Sequence, residues 1–229
     1  ILKAKLILQE TWRKGYDWDQ ELEQDIAKPW RDWVKNAREL PCVRLNRCYV
    51  NKAGREIDRL ELHVFCDASQ VAFGSVAYLR YCFSDGTFET SFVLSKAKLA
   101  PIKVLTLPRL ELCAAVTAVR LYSTIVKSID LKFDQVVFWT DSMLTLQYIA
   151  NKKYRFRTFV ANRVAEIHEK TEVGQWRFVP GKVNVADLVS RGTAWPGDLV
   201  VKNKDGISWL NGPSFLSELE SLDEATDIG

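Results

Sequence analysis

Apolar residues alternate and cluster so as to divide the chain into elements. LELHVFCD (60–67), FGSVAYLRYCF (73–83) and FETSFVLS (88–95) are β-prone runs, and SDGT (84–87) supplies an Asp-Gly turn between the last two. They predict three consecutive strands in an antiparallel meander, with a hairpin at Asp85–Gly86. Pro108 then opens PRLELCAAVTAVRLYSTIVKSI, in which Leu112, Ala115, Val116, Val119, Tyr122 and Val126 recur on one helical face. QVVFWTD (135–141) is apolar almost throughout, the pattern of a strand buried on both faces. Two helices are expected in DSMLTLQYIANKK and RFRTFVANRVAEIHEK, a strand in GQWRFVPG and a short helix in NVADLVSRG. The order β-β-β-α-β-α-α-β-α describes an α/β fold, a mixed sheet with helices packed against it.

Upstream of the strands, residues 1–40 read as helical. Leu22, Ile26, Trp30, Trp33, Val34 and Ala37 recur near the helical period, and Pro29 is expected to end or kink that helix. Four tryptophans (Trp12, Trp18, Trp30, Trp33) lie in this stretch, so it is expected to dock on something. A polar break around 51–59, containing Gly54, separates it from the first strand. From Thr193 onward Pro, Gly and acidic residues mix, which reads as a peripheral tail. The boundaries expected are therefore 1–58, 59–192 and 193–229.

Composition narrows the class without naming a function. The 229 residues are 47% hydrophobic, 27% charged and 11% aromatic, an ordinary globular mixture that excludes wholesale disorder and coiled coil. No apolar run approaches the roughly 18 residues of a membrane span, so no membrane partner is expected. ILKAKLILQE lacks a Met and a small-residue cleavage site, and looks like the middle of a longer polypeptide. Five cysteines (Cys42, Cys48, Cys66, Cys82, Cys113) without C-x-x-C spacing point to neither a disulfide framework nor a zinc site. An intracellular, reducing setting is the default. The formal charge of +3 is uninformative as a sum, but its distribution is not. Between 150 and 192, Lys152, Lys153, Arg155, Arg157, Arg163, Lys170, Arg177, Lys182 and Arg191 face only Glu166, Glu169, Glu172 and Asp187. That stretch is either a phosphate-binding surface or a solvated helix face. Residues 193–229 are locally acidic.

Four carboxylates fall where a sheet-based site would place them. Asp67 ends the first strand, Asp141 ends the buried strand, Glu111 lies early in the long helix, and Asp187 lies in the last helix. Ends of adjacent strands in an α/β sheet converge on one crevice. A carboxylate after an all-apolar strand is costly unless paired, hydrogen-bonded or metal-bound. Each acid alone has a plain alternative: a strand-end Asp often caps a helix, and Glu111 favours a helix N-terminus electrostatically.

Together these motifs resemble the ribonuclease H family. FCDAS, LTLPRLELCAAV, WTDS and VPGKVNVADLVSRG are similar to its four acidic segments. The wording of PRLELCAA and NVADLVSRG, with Trp209, Gly212, Pro213, Phe215 and Leu216 in a W-x-x-GP-x-FL ending, resembles the BEL/Pao class of LTR retrotransposons. LQETWRKGYDWDQ and PWRDW look like the segment joining reverse transcriptase to ribonuclease H in those polyproteins. The resemblance implies a ribonuclease H-like fold: a mixed five-stranded sheet flanked by helices, with an N-terminal helical extension. It implies a connecting segment over 1–58, a ribonuclease H domain over 59–192 and an acidic tail over 193–229.

The implied activity is hydrolysis of the RNA strand of RNA/DNA hybrids during reverse transcription, with the reverse transcriptase domain of the same polyprotein as partner. Asp67, Glu111, Asp141 and Asp187 form an all-oxygen donor set suited to Mg²⁺ or Mn²⁺. The implied scheme uses two ions about 3.5–4 Å apart. Asp67 bridges both, Glu111 and Asp141 hold one, and Asp187 holds the other. Glu111 and the backbone at Ala68, Ser69 and Gln70 are implied RNA contacts at the 2′-OH. Thr106, assisted by Arg109, is either a binder of a DNA-strand phosphate or a helix-start residue; Ser142 is either a substrate contact or an N-cap. Lys152, Lys153, Arg155 and Arg157 stand where a basic handle is absent. Lys182, in the loop PGKVN, stands where relatives carry a His before the last acid; His63 and His168 do not fill that role. Three other readings remain: a catalytically weak or inactive nucleic-acid-binding module, a transposase or integrase core (whose order puts Glu last), and a structural connection domain.

Overall fold

The structure, a computed structural model, describes residues 1–38, 47–50, 54–153, 155–192 and 207–218. Helices α1 (Leu2–Lys14) and α2 (Gln24–Ala37) precede a meander of β1 (Ile57–Ala68), β2 (Ala72–Phe83) and β3 (Phe88–Leu99). Gly86 adopts a φ of 81° in the β2–β3 turn, a conformation that only glycine enters at no steric cost. Then come α3 (Leu107–Ser128), β4 (Gln135–Thr140), α4 (Met143–Ala150), α5 (Thr158–Lys170), β5 (Trp176–Phe178) and α6 (Asp187–Arg191). The five strands form one sheet in the order β3-β2-β1-β4-β5, antiparallel through β3, β2 and β1 and parallel from β1 to β4 to β5. The element order and the mixed sheet match the expectation from the hydrophobic pattern.

Strand β1 sorts its alternate residues onto two cores. Leu62, Val64, Cys66 and Ala68 join the core under α3, and Phe65 faces a second core with Val76, Tyr78, Val137 and Trp139. Helix α3 is buried more broadly than one stripe: Leu110, Ala114, Ala118, Leu121 and Ile125 are all buried, whereas Val126 is 45% exposed. The face expected from period 3.6 holds at Leu112, Ala115, Val116 and Val119, all buried, and is widened by a second stripe, with only Val126 left out. The helix packs on β1 and β2 on one side and on α5 and α4 on the other, so two stripes are apolar.

The second core is closed by chain that the sequence pattern assigns to a tail. Residues 207–218 form a two-stranded ribbon, β6 (Ile207–Ser208) with β7 (Gly212–Pro213), and a 3₁₀ turn at Ser214–Ser217. Ile207 and Leu216 are buried there, with Phe215 against Phe65 and Trp139. The sheet grips this strap by its backbone. Phe92 N donates to Leu210 O at 2.9 Å, Tyr78 Oη to Trp209 O at 2.8 Å and Arg80 Nε to Leu216 O at 2.7 Å. Mean polarity hid four aromatic or branched residues, Ile207, Trp209, Phe215 and Leu216, that cover this face of the sheet. The acidic residues of this stretch other than Glu218 lie outside the described residues, as does Cys42.

Beneath the strap lies a buried charge network. Glu61 accepts from Arg80 Nη1 at 3.0 Å and meets Arg59 at 2.7 Å. Trp139 Nε1 donates to His63 Nδ1 at 3.1 Å, so the ring proton lies on Nε2, which donates to Glu61 at 2.9 Å. Burial pushes the Glu61 carboxyl up, but His63 and Arg80 outweigh it and hold it down to about 2.

Helix α1 docks on the body and α2 packs on α1, with two of the stretch's four tryptophans facing solvent. Leu2 and Ile26 are the buried residues; Trp18 is 88% and Trp12 64% exposed. Lys5 Nζ donates to Ala97 O at 2.7 Å and Gln9 Nε2 to Ala100 O at 2.8 Å, fastening α1 to the end of β3. Pro29 does not end α2, which continues to Ala37. The proline forgoes one main-chain bond early in the helix, and the later turns are intact. Among the described residues no helix is long and apolar enough to cross a membrane.

Candidate active site

Parallel pairing sets the first two acids side by side. Cys66 of β1 is in register with Thr140 of β4, so Asp67 and Asp141 leave adjacent strands at the same end of the sheet. Glu111 reaches that end from the first turns of α3, which packs on β1 and β2. Asp187 arrives last, opening α6 after the turn that follows β5. Asn184 in that turn is fully buried; its Nδ2 donates to Cys66 O at 3.1 Å, and its side chain also hydrogen-bonds Asp141. The four carboxylates are close enough to act on one another electrostatically. Burial pushes Asp67 up to about 6, with Ser190 pulling it back and the charges of Asp141 and Asp187 adding to the rise. Asp141 is raised too, by burial first and by Glu111 and Asp187 in addition, against its own backbone N–H and Asn184. This is the electrostatics of a buried acid cluster whose one cationic neighbour, Arg191, lies on Asp187 at its edge.

Each carboxylate is turned to a protein partner. Ser142 Oγ donates to Glu111 Oε2 at 2.6 Å, Ser190 Oγ donates to Asp67 Oδ2, and Arg191 Nε donates to Asp187 Oδ1. With the side chains so engaged, no three acidic, histidine or cysteine residues among the described residues already enclose a metal ion. The donor chemistry nevertheless fits a hard divalent cation: every ligand atom on offer is an oxygen, and Asp67 and Asp141 are raised chiefly by burial, with their acidic neighbours adding to the rise. Gly181 borders the cluster, since a Cβ there would stand 3.1 Å from Asp141 Oδ2.

The proposed nucleic-acid contacts divide into outward and inward. Thr106 is the exposed N-cap residue of α3 and makes no side-chain capping bond. Arg109 is exposed beside it, 5.0 Å above the Phe159 ring. Lys152, Lys153, Arg155 and Arg157 are exposed in the connection from α4 to α5, and Lys182 is exposed in the turn before α6. Gln70 is exposed, but Ala68 and Ser69 are buried, and Ser69 N donates to Ala72 O at 2.7 Å. Ser142 is also turned inward: besides holding Glu111 it accepts from Thr145 N at 3.1 Å, the N-cap role. His63 belongs to the buried network, and His168 Nε2 pairs with Ile149 O at 2.8 Å.

Sequence reasoning missed Asn184 and Ser190. Both lie within VPGKVNVADLVSRG, where the acidic motif points to Asp187 alone. The one available signal was a serine three residues after the acid on a short helix, which places both on one face.

Comparison with known proteins bears on the fold's origin. A family model described as "Pao retrotransposon-like RNaseH-like domain" matches residues 1–142. No curated protein sequence matches the chain. Among solved structures, it is similar to RNase H1 from the halophilic archaeon Halobacterium salinarum NRC-1, at 14% identity and a TM-score of 0.38, over 58% of this chain and 95% of that one. It is also similar to LC11-RNase H1 in complex with RNA/DNA hybrid, at 14% identity and a TM-score of 0.38, over 58% of this chain and 94% of that one. The N-terminal RNase H domain of a Mycobacterium tuberculosis protein is a third, at 12% identity and a TM-score of 0.38, over 58% and 91% of the two chains.

Proposed function

The chain belongs to the Pao retrotransposon-like RNaseH-like domain family, and from that premise we propose that it is a divalent-metal-dependent ribonuclease H that cuts the RNA strand of RNA/DNA hybrids. The observation that carries the reading is the meeting of Asp67, Glu111, Asp141 and Asp187 at one end of the sheet, with Asp67 raised to about 6 by burial and its acidic neighbours. Two Mg²⁺ or Mn²⁺ ions, when bound, supply an activated water and a counter-charge for the leaving 3′ oxygen. The chain's own residues do the rest. Asp67, Glu111, Asp141 and Asp187 are the ligands. Ser142 keeps Glu111 oriented, from where its free oxygen accepts the 2′-OH that distinguishes RNA. Gln70, outward on the turn after β1, takes the RNA backbone. Thr106 and Arg109 take a phosphate of the DNA strand, and Lys152, Lys153, Arg155 and Arg157 follow the duplex further out.

In this reading residues 1–58 connect the domain to the reverse transcriptase of the same polyprotein, 59–192 are the hydrolytic fold, and the strap at 207–218 completes it. The Arg191 guanidinium on Asp187 favours one rival, a module that binds hybrid without cutting it. Labelled RNA/DNA hybrid, double-stranded RNA and double-stranded DNA incubated with the protein in Mg²⁺ or Mn²⁺ decide between them. Metal-dependent cleavage of RNA in the hybrid alone supports the enzyme; binding without cleavage in either metal supports the module.

A further inference from the structure

Asp67 and Asp187 must be held at a fixed separation, yet they stand on unrelated elements: β1 and a helix of five residues. A helix that short has no stability of its own. The direct links between the two elements run largely through one side chain. Ser190 is fully buried, and its hydroxyl donates to Asp67 Oδ2 while lying 3.3 Å from the main-chain carbonyl of Asp187. Its own carbonyl accepts from Ser69 Oγ at 2.8 Å, and Ser69 Oγ in turn receives Ala72 N at 3.2 Å. The turn after Asp67 and the turn of helix carrying Asp187 are thus cross-braced in both directions.

A serine on a helix ordinarily bonds back to the carbonyl one turn earlier. Here the single hydroxyl proton goes to the carboxylate, which carries charge and lies closer. The geometry points to Ser190 as a positioning residue, one that aims the Asp67 carboxylate and sets its distance from Asp187, so that the pair is prepared for divalent cations. This rests on the proposed ribonuclease H reading. A hydroxyl donor does not exclude a metal from the same carboxylate, since an ionised oxygen has lone pairs for both.

The test is calorimetric titration of the full chain with Mn²⁺ alone, native against Ser190→Ala and Ser190→Thr, each first shown to unfold cooperatively in urea. Partners that orient metal ligands typically matter by 10–100-fold in affinity, so Ser190→Ala should weaken Mn²⁺ binding by about tenfold. Ser190→Thr, which keeps the hydroxyl, should recover most of that loss. Hybrid binding in chelator should stay within about twofold of native, because the serine is fully buried. Should the alanine variant fail to fold, Ser190→Cys, nearly isosteric but a weak donor, takes its place with the same expectation. Mn²⁺ affinity unchanged or tightened, or hybrid binding lost in parallel, overturns the assignment. A native protein that binds no Mn²⁺ overturns the ribonuclease reading as well; a native protein that binds and cleaves beside an unaffected variant overturns only the role of Ser190.

Discussion

A carboxylate in the surroundings of Asp67 is costly to keep charged without a cation opposite it. Burial, with Asp141 and Asp187 nearby, raises it to about 6 from an ordinary 3.8. The folded protein therefore holds this proton more tightly than the unfolded chain does. The stability it contributes is complete below about pH 4 and is lost as pH rises through about 6, roughly 3 kcal/mol in all. Asp67→Asn should therefore stabilise the metal-free protein at pH 7, and the gain should vanish by pH 4, read from urea midpoints in chelator. An equal gain at both pH values would contradict this. Asp67 and Asp141 stood out in the sequence because each follows an apolar strand, whereas Glu111 and Asp187, on helices, stood out only through the motifs around them. Ser190 and Asn184 were not, because a serine in a short helix acquires its meaning only when another strand brings a carboxylate to it.

At the scale of elements, α6 depends on what lies beneath it. Gly74 of β2 is where it touches the sheet: a Cβ there would stand 2.5 Å from Val189 Cγ1 and 2.4 Å from Lys96 O. Gly74→Ala should destabilise the protein by about 1–3 kcal/mol and push the Asp187 helix off the sheet. The check is a lower urea midpoint together with weakened Mn²⁺ binding; a lower midpoint with native metal affinity would show that α6 keeps its place. The strap makes a second case. Arg80 both neutralises the buried Glu61 and holds the Leu216 and Glu218 carbonyls, at 2.7 and 2.9 Å. Arg80→Met should cost about 3 kcal/mol at neutral pH, because it leaves the buried Glu61 with only Arg59 and His63 and strips two strap carbonyls of their donor. Glu61, held down to about 2, contributes stability above about pH 4.5 that is lost on acidification, so the penalty should shrink towards pH 4. A penalty independent of pH would assign it to packing alone. Strand order could be read from the sequence since period-two runs and an Asp-Gly turn are local signals. The second apolar stripe of α3 and the strap could not, since each depends on which second surface the chain provides.

Across the whole molecule the formal charge of +3 conceals a division of labour. The acids gather at one end of the sheet, and the exposed cations Lys152, Lys153, Arg155 and Arg157 lie along the α4–α5 connection. Reversing these four charges should weaken hybrid binding and flatten its salt dependence by roughly one unit of slope for each phosphate no longer neutralised. Unchanged binding at low salt would leave them a solvated surface. This division was visible in the sequence as a local excess of basic residues, but its position relative to the acids required the fold. The central claim, that the carboxylate cluster cuts RNA paired with DNA, is tested most directly by Asp67→Asn, which keeps shape and removes one charge. Cleavage of a labelled RNA/DNA hybrid in Mg²⁺ or Mn²⁺ should fall to background in this variant, while its binding to the hybrid in chelator stays near native. Cleavage at the native rate by Asp67→Asn, or none by either protein with hybrid bound, would contradict the account.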